Sequence, residues 1–434
     1  MKAGLRLPNH ATGANVTAGY DAQVRAADRL RRHGQHDAAV AAFHAITLQY
    51  PHRADAFSNL AGMLQAAGHP MHALQTVSRA LELNPASVPA LLNSAEILKD
   101  FGEWQTVMDT YDAALALQPA SAAIRFARAI HLLTMGRWQE AWREHEARWQ
   151  VPDMPIGAAA LSTPRWDGSP LDGRTILLDH EQGLGDQIMC ARFTADVAAR
   201  GGVVIIRCGA PLATLLRALP GVQAVITDTD VMPRHDVHAS MMSLPWLLGI
   251  QSPAALRGGP YLSPVGECPA PLQALLGGAS RRVGFVWAGN TQHRNDARRS
   301  IAPALFESLV RCPGITAISL QRHDAPEEAL PDVLRPYLVD LGGALHTMND
   351  TAHALARLDL LVTVDTSVAH LAGAMGLPTL LLVPFVPDWR WMTDRSDTPW
   401  YDAITLMRQT TLFDWRPVIA AVHTRITQLT PIAS

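Results

Sequence analysis

Four short stretches of the chain group residues that can hold an anion or move a proton. The first is Glu181-Gln182-Gly183-Leu184-Gly185-Asp186. Its glycines let backbone N–H groups face a ligand where a helix begins. Asp186, in the first turn, carries a charge that the helix's positive end favours. It is placed to accept a proton from a hydroxyl, although a capping aspartate fits the same position. The second is Trp287-Ala288-Gly289-Asn290 and the run that follows it, with His293, Arg294, Arg298 and Arg299. Arginine forks match phosphate oxygens; a solvated basic loop is the plainer alternative. The third contains Asp365, Thr366, Ser367 and His370. Free amides and hydroxyls at a helix N-terminus suit a diphosphate. Ser367 and His370 stand three apart on one helix, which is not triad geometry, and no GxSxG elbow is present. The fourth is Pro384–Trp391 with Trp400-Tyr401. Its aromatic faces can stack on a sugar or base while Asp388 and Arg390 bind hydroxyls or phosphate. The alternative is a loop plugged into the core by its tryptophans.

Composition narrows this chemistry. The only lysines are Lys2 and Lys99, so Schiff-base and P-loop lysine chemistry is excluded beyond residue 100. Any anion held there by a basic side chain is held by arginine or histidine. Asp228-Thr229-Asp230 spells the DxD that metal-dependent sugar transferases use, but it lies away from the arginines and reads as a turn with helix-cap character. The four cysteines form neither a CxxC pair nor a dense framework, which argues against zinc and disulfides. A net charge of −3 gives no reason to expect a nucleic-acid or membrane-surface partner. No apolar run is long enough to span a bilayer, and Met1–His10 has no apolar signal core. A reducing cytoplasm is the expected compartment.

The elements that must position these residues divide the chain in two. With 434 residues, 48% hydrophobic and 17% charged, it is long enough for two to four domains. Gly34, Gly68, Gly102 and Gly136 recur every 34 residues, with Pro51, Pro85 and Pro119 at the same period. Ala39, Ala73, Val107 and Ala141 follow five residues after the glycines. This resembles the tetratricopeptide repeat. Glycine allows the turn between paired helices, alanine their close approach, and proline ends the second helix. Three good repeats and a decaying fourth fill residues 18–150. Trp138, Trp142 and Trp149 lie on one face of the last helix and are expected to pack on the next domain. Such a solenoid predicts a protein or peptide partner rather than a reaction.

Residues 151–172 read as a linker. Short apolar runs then alternate with helical ones: Thr175–Asp179, Val203–Arg207, Ala224–Thr227, Arg282–Trp287, Ile315–Leu320, Leu360–Val364, Thr379–Val383 and Ile404–Met407. Strand–helix alternation predicts parallel sheets covered by helices. Pro-rich punctuation splits the run into 173–270 and 281–415, and 416–430 is a closing helix. The fold class is thus α + α/β.

The order of these pieces resembles a bacterial GT-B glycosyltransferase close to the heptosyltransferases, over about residues 173–430. Gly185-Asp186 match the family's early Gly–Asp, which provides the acceptor base. Asp365-Thr366-Ser367 with His370-Leu371 match its Asp-Thr-Gly-x-x-His-Leu donor loop, with serine for glycine. The family's usual lysine after the Trp-containing strand is absent here, so Arg294, Arg298 or Arg299 must substitute. The combination looks like bacterial proteins that join tetratricopeptide repeats to such a domain. The resemblance implies two Rossmann-like domains and an inverting, metal-independent transfer of a hexose or heptose from a nucleotide-sugar, with no cofactor. It implies Asp186 as base, and donor contacts from Asn290, Arg294, Arg298, Arg299, Asp365, Thr366, Ser367 and His370. Gln182, Gly183, Gly185, Asp388, Trp389 and Arg390 are the expected acceptor or sugar contacts. It also implies that the closing helix packs back on the first of the two domains. The competing class is a non-catalytic repeat scaffold whose transferase-like domain only binds.

Overall fold

A computed structural model describes residues 13–152, 154, 161–256, 258–275, 280–291, 295–323 and 330–428. Two compact units divide it, one ending at Arg128 and the other beginning at Ala129. The first is a stack of antiparallel helix pairs: α1 (Gly13–Arg32), α2 (His36–Gln49), α3 (Ala54–Ala66), α4 (Pro70–Leu83), α5 (Val88–Lys99) and α6 (Trp104–Leu117). α7 (Ala122–Thr134) begins in this unit. The period in the sequence has a direct backbone cause. Gly34, Gly68, Gly102 and Gly136 all adopt left-handed backbone, with φ between +71° and +80°, which only glycine adopts without strain. Ala39, Ala73 and Val107 are fully buried, as small residues at helix crossings should be. Successive helices share small apolar clusters, such as Ala61, Val77, Ala80 and Ile97, then Val88, Ala95, Tyr111 and Ala114. This is a tetratricopeptide-type solenoid.

The second unit contains α8 (Trp138–His145), a following 3-10 turn over Glu146–Gln150, and two parallel sheets. The first sheet has β1 (Thr175–Asp179), β2 (Val203–Arg207), β3 (Val222–Ile226) and β4 (Val237–Ser240), in the order β3-β2-β1-β4. The second has β5 (Arg281–Val286), β6 (Ile315–Ser319), β7 (Leu338–Asp340), β8 (Leu360–Val364), β9 (Thr379–Val383) and β10 (Ile404–Arg408), in the order β10-β9-β8-β5-β6-β7. Strands β1 and β2 were legible from their apolar runs. β4 and β7 were not, because VHAS and LVD are short and of mixed polarity. In each sheet the chain builds outward in one direction and then crosses back beside its first strand. The strand order therefore reverses between β1 and β4, and again between β5 and β8. Crevices at such reversals, outside the carboxyl ends of parallel strands, are where open α/β sheets bind ligands.

Two expectations need correcting. The closing helix Arg416–Thr427 does not pack on the first sheet. Val418, Ile419, Val422 and Ile426 join the core of the second sheet with Phe306, Leu309, Val362 and Leu382. Its buried residues belong to that core, which Leu380 and Leu382 of β9 and Met407 of β10 also line. The linker is also partly structured. Trp166 is buried, and Arg165 pairs in parallel with His238, extending the edge beside β4. Substituting Ile426 by alanine should thus cost about 2–5 kcal/mol, the usual range for a buried Ile truncation. Chemical denaturation followed by tryptophan fluorescence measures this; a change under about 0.5 kcal/mol, the size expected of a surface site, would contradict the packing.

Candidate functional site

The carboxyl edges of the two sheets meet around one buried ion pair. On the first side, β1 ends at Asp179, and the loop over residues 180–183 enters the helix Leu184–Ala191. Gly183 is the N-cap and Asp186 sits in the first turn. On the second side, β9 ends at Val383 and leads to a single 3-10 turn, Trp389–Trp391. Asp388 caps that turn by accepting from the Arg390 N–H at 3.0 Å. The Arg390 guanidinium then donates to Asp388 Oδ1 at 2.7 Å and to Asp186 Oδ1. Arginine's planar fork presents a separate nitrogen to each carboxylate in a fixed geometry, which lysine's single ammonium does not.

Burial sets the charges here. Burial raises the Asp186 carboxyl's pKa above its usual value, and the opposing pull of Arg390 does not fully cancel this. The Gly183 N–H also pulls it down, so Asp186 has a helix-capping role as well. Asp388 is pushed up by burial, but Arg390 outweighs that and holds it below the usual carboxylate range. Burial opposes the charge on Arg390, yet Asp186 and Asp388 more than compensate and its pKa rises.

The third stretch arrives through β8 and its helix, Ser367–Met375. Thr366 is the N-cap, with extended backbone and no side-chain capping bond. Asp365 is pushed up to about 6 by burial and by the charge of Asp388. Arg299 donates to the Asp365 carbonyl at 2.8 Å and pairs with Asp296 at 3.2 Å. The Arg299 guanidinium lies where a side chain on Gly289 would be, so a larger residue there would displace Arg299 from this position. Arg298 lies 5.8 Å from the Phe413 ring. Asn290 is exposed at the tip of the same loop. Arg294 and His293 lie outside the described residues.

His370 takes a different part from the expected phosphate contact. Burial, helped by Arg390, pushes it down to about 3, so it is neutral at pH 7. Its Nδ1 pairs with the Tyr401 hydroxyl at 2.9 Å, and its ring stacks on Trp391 at 5.1 Å. A Cβ on Gly185 would come within 2.7 Å of its Cδ2. Gly185 thus lets the first-sheet helix approach the second-sheet helix closely. The structure brings Gly183, Gly185, Asp186, Asp388, Arg390 and His370 together. Gln182 is exposed, and its carbonyl accepts from Gln187 at 3.1 Å.

Trp389 is not a sugar platform. It is 5% exposed, with Trp142 at 5.5 Å and Trp400 at 5.9 Å. The plugged-loop alternative describes it, because two indoles and the Arg390 guanidinium already occupy the space around its ring. Trp138 and Trp142 are buried in the same cluster, as the packing role predicted for them requires. Trp149 departs from it by falling in the 3-10 turn, where Arg165 lies 4.1 Å from its ring. In the DxD stretch, Asp230 accepts from the Thr227 N–H and hydroxyl, and Asp228 pairs with His180 at 3.0 Å. That is the turn expected.

Sequence reasoning missed Arg148. It is fully buried and grips Glu181 with both arms, at 2.7 and 3.1 Å. Ser240 Oγ donates to Glu181 at 2.7 Å, and Ser243 accepts from Arg148 at 2.8 Å. The available signal was its spacing: Ala141, His145 and Arg148 continue one stripe, and an arginine on an apolar stripe implies a buried partner. Arg192 was also missed; it donates to the Trp400 carbonyl and lies 5.0 Å from the Tyr401 ring.

The class this defines is a tetratricopeptide-type repeat joined to an α/β body of two parallel sheets. No family model matches the chain. It is 25% identical over 318 residues to the protein FlbA of Caulobacter vibrioides (strain ATCC 19089 / CIP 103742 / CB 15), an alignment covering 66% of this chain and 52% of that protein. The chain thus spans about half the length of that curated relative. Similar solved structures include MamA, at 20% identity and TM-score 0.26 over 30% of this chain and 70% of that one. Another is the first repeat domain of Spaghetti (RPAP3) bound to an HSP90 peptide, at 14% and 0.24 over 25% and 86%. A tetratricopeptide repeat protein from Parabacteroides merdae matches at 17% and 0.27 over 31% and 54%. The repeat assignment rests on the helices and glycines themselves.

The two perturbed groups facing Arg390 predict opposite responses to acid. His370 is depressed from 6.5 to about 3, so it stabilises the fold fully above 6.5, and that contribution is lost as pH falls toward 3. Asp365 is raised from 3.8 to about 6, so its contribution grows as pH falls from 6 to 4. His370→Gln should flatten the loss of thermal stability between pH 6.5 and 4, and Asp365→Asn should steepen it. Melting curves at pH 6.5, 5 and 4 check both signs; identical slopes for all three proteins would refute the assignment.

Proposed function

We propose that this protein is a glycosyltransferase that moves a sugar from a nucleotide-sugar donor to an acceptor hydroxyl, using two facing Rossmann-like domains of GT-B type. The observation that carries the reading is the Asp186–Arg390 pair. It joins a potential base at the strand reversal of one sheet to a cationic loop beside the strand reversal of the other. In this reading the donor's diphosphate lies at the β5/β8 reversal. The amides of Thr366 and Ser367, with Arg298 and Arg299, stabilise the charge that develops on the leaving group, as preorganised electrostatics. Asn290 is a proposed donor contact, and Arg294 is proposed as another from its place in the sequence.

The acceptor lies on the first-sheet side, near Gln182 and Gly183. Arg390 holds Asp186 through Oδ1 and orients its carboxylate. In this reading the carboxylate takes the acceptor's proton as the hydroxyl oxygen attacks the anomeric carbon and the nucleoside diphosphate leaves. The repeat region fits recruitment of a protein or peptide acceptor or partner, the general use of such solenoids. No described helix is long and apolar enough to cross a membrane.

One observation favours the second reading, a scaffold that binds the nucleotide-sugar without turnover. Asp186 also interacts with the Gly183 N–H, so it has a structural role independent of catalysis. Release of nucleoside diphosphate from a panel of nucleotide-sugars, with mass-spectrometric identification of any co-purified nucleotide, separates the two. Asp186→Asn should leave donor affinity near wild type and lower single-turnover transfer by about 10²–10⁴-fold, the worth of a positioned base. Turnover equal to wild type would remove Asp186 from the mechanism. Arg298→Ala or Arg299→Ala should weaken donor binding by about 1.5–3 kcal/mol, read by calorimetry; unchanged affinity in both would refute the phosphate assignment.

A further inference from the structure

Residues 138–150 reach both halves of the Asp186–Arg390 pair. Toward Arg390, the Trp142 ring meets Trp389 edge-on at 5.5 Å, and the Arg390 guanidinium lies 4.2 Å from the centroid of Trp389. Trp138 backs the same cluster through Trp400, at 5.2 Å. Toward Asp186, Arg148 holds Glu181 with both arms, and Glu181 stands five residues before Asp186, on the loop that enters its helix. Ser240 donates to Glu181, Ser243 accepts from Arg148, and Glu146 accepts from both Arg148 and Ser243 in the same network. One short segment therefore grips the neighbour of each partner in the pair, from two sides.

We propose that this segment, the final helix of the repeat array and its 3-10 extension, is a brace that sets the geometry of the pair. Trp142 is a positioning residue for Arg390, acting through Trp389. Arg148 is a positioning residue for Asp186, acting through Glu181. The physical reasons differ on the two sides. An arginine stacked on an indole follows that indole, and Trp389 keeps one orientation only while Trp142 fills the space against its edge. A loop carboxylate held by a buried bidentate guanidinium cannot shift without breaking charge-assisted bonds. The last repeat is thus part of the candidate site. Its consequence for turnover rests on the transferase reading; the positioning itself does not.

Double-mutant cycles on the full chain test it, because groups that act through one another are not additive. Melting temperatures are measured for wild type, Trp142→Phe, Asp186→Asn and the double variant. In a second cycle Ser240→Ala replaces Trp142→Phe; it loosens Glu181 without stranding a buried charge. The expected result is a double-variant loss smaller than the summed single losses by about 2 °C or more in each cycle. Additivity within error in both cycles overturns the brace. If Trp142→Phe does not fold, Trp389→Phe takes its place in the first cycle. In steady-state assays, Trp142→Phe should lower kcat at least 10-fold while donor KM stays within about 3-fold. A wild-type kcat in that variant, beside a low kcat in Asp186→Asn, overturns its functional half. Absence of transfer in wild type would sink the transferase reading and leave the melting cycles as the test of the brace.

Discussion

Arg390 is the constraint around which the second unit is organised. It is buried between Asp186 from the first sheet and Asp388 from its own turn. A guanidinium taken out of water costs several kcal/mol unless its donors are satisfied in good geometry. Two carboxylates from different sheets bind its two terminal nitrogens only when the sheets adopt one relative placement, while its Nε is buried with no hydrogen-bond partner among the described residues. A buried pair of this kind adds little net stability compared with apolar packing, but leaving one partner alone is costly. Its effect is to penalise other arrangements of the two sheets.

Close backbone approach makes the arrangement possible. Gly185 leaves no room for a Cβ beside His370, and the Tyr401 ring occupies the space that a side chain on Gly373 would need. His370 stays neutral, bonded to Tyr401 and stacked on Trp391, so the contact between the two helices adds no second charge to the interior. The aromatic residues around it, Trp138, Trp142, Trp389 and Trp400, fill the volume that the charged residues cannot. The site is therefore a small charged centre in an apolar surround, where the low dielectric strengthens each remaining charge interaction.

Much of the fold was legible because it rests on periodic constraints. The 34-residue spacing appears in the chain as glycines because each repeat needs the same left-handed turn. The strands β1, β2, β8 and β9 appear as apolar runs because central parallel strands are buried on both faces. The edge strands β4 and β7 lack that pattern, and the closing helix offered an apolar stripe without a destination. For the candidate site, the glycines and Asp186 were legible from their place at a strand-to-helix turn. Arg148 was not, because a charge on a helix stripe does not name its partner 33 residues away.

The sequence by itself determined the repeat, the two sets of alternating strands and helices, and the residue types able to bind an anion without lysine. Those are local properties: turn conformation, hydrophobic period and side-chain chemistry act within a few residues. The tertiary structure decided which charges meet. It joined Asp186 to Arg390 across 204 positions, turned Trp389 inward against Trp142, and seated the closing helix on the second sheet. Such choices depend on desolvation and packing, which arise only when distant segments exclude water together, and no short stretch of sequence carries that information.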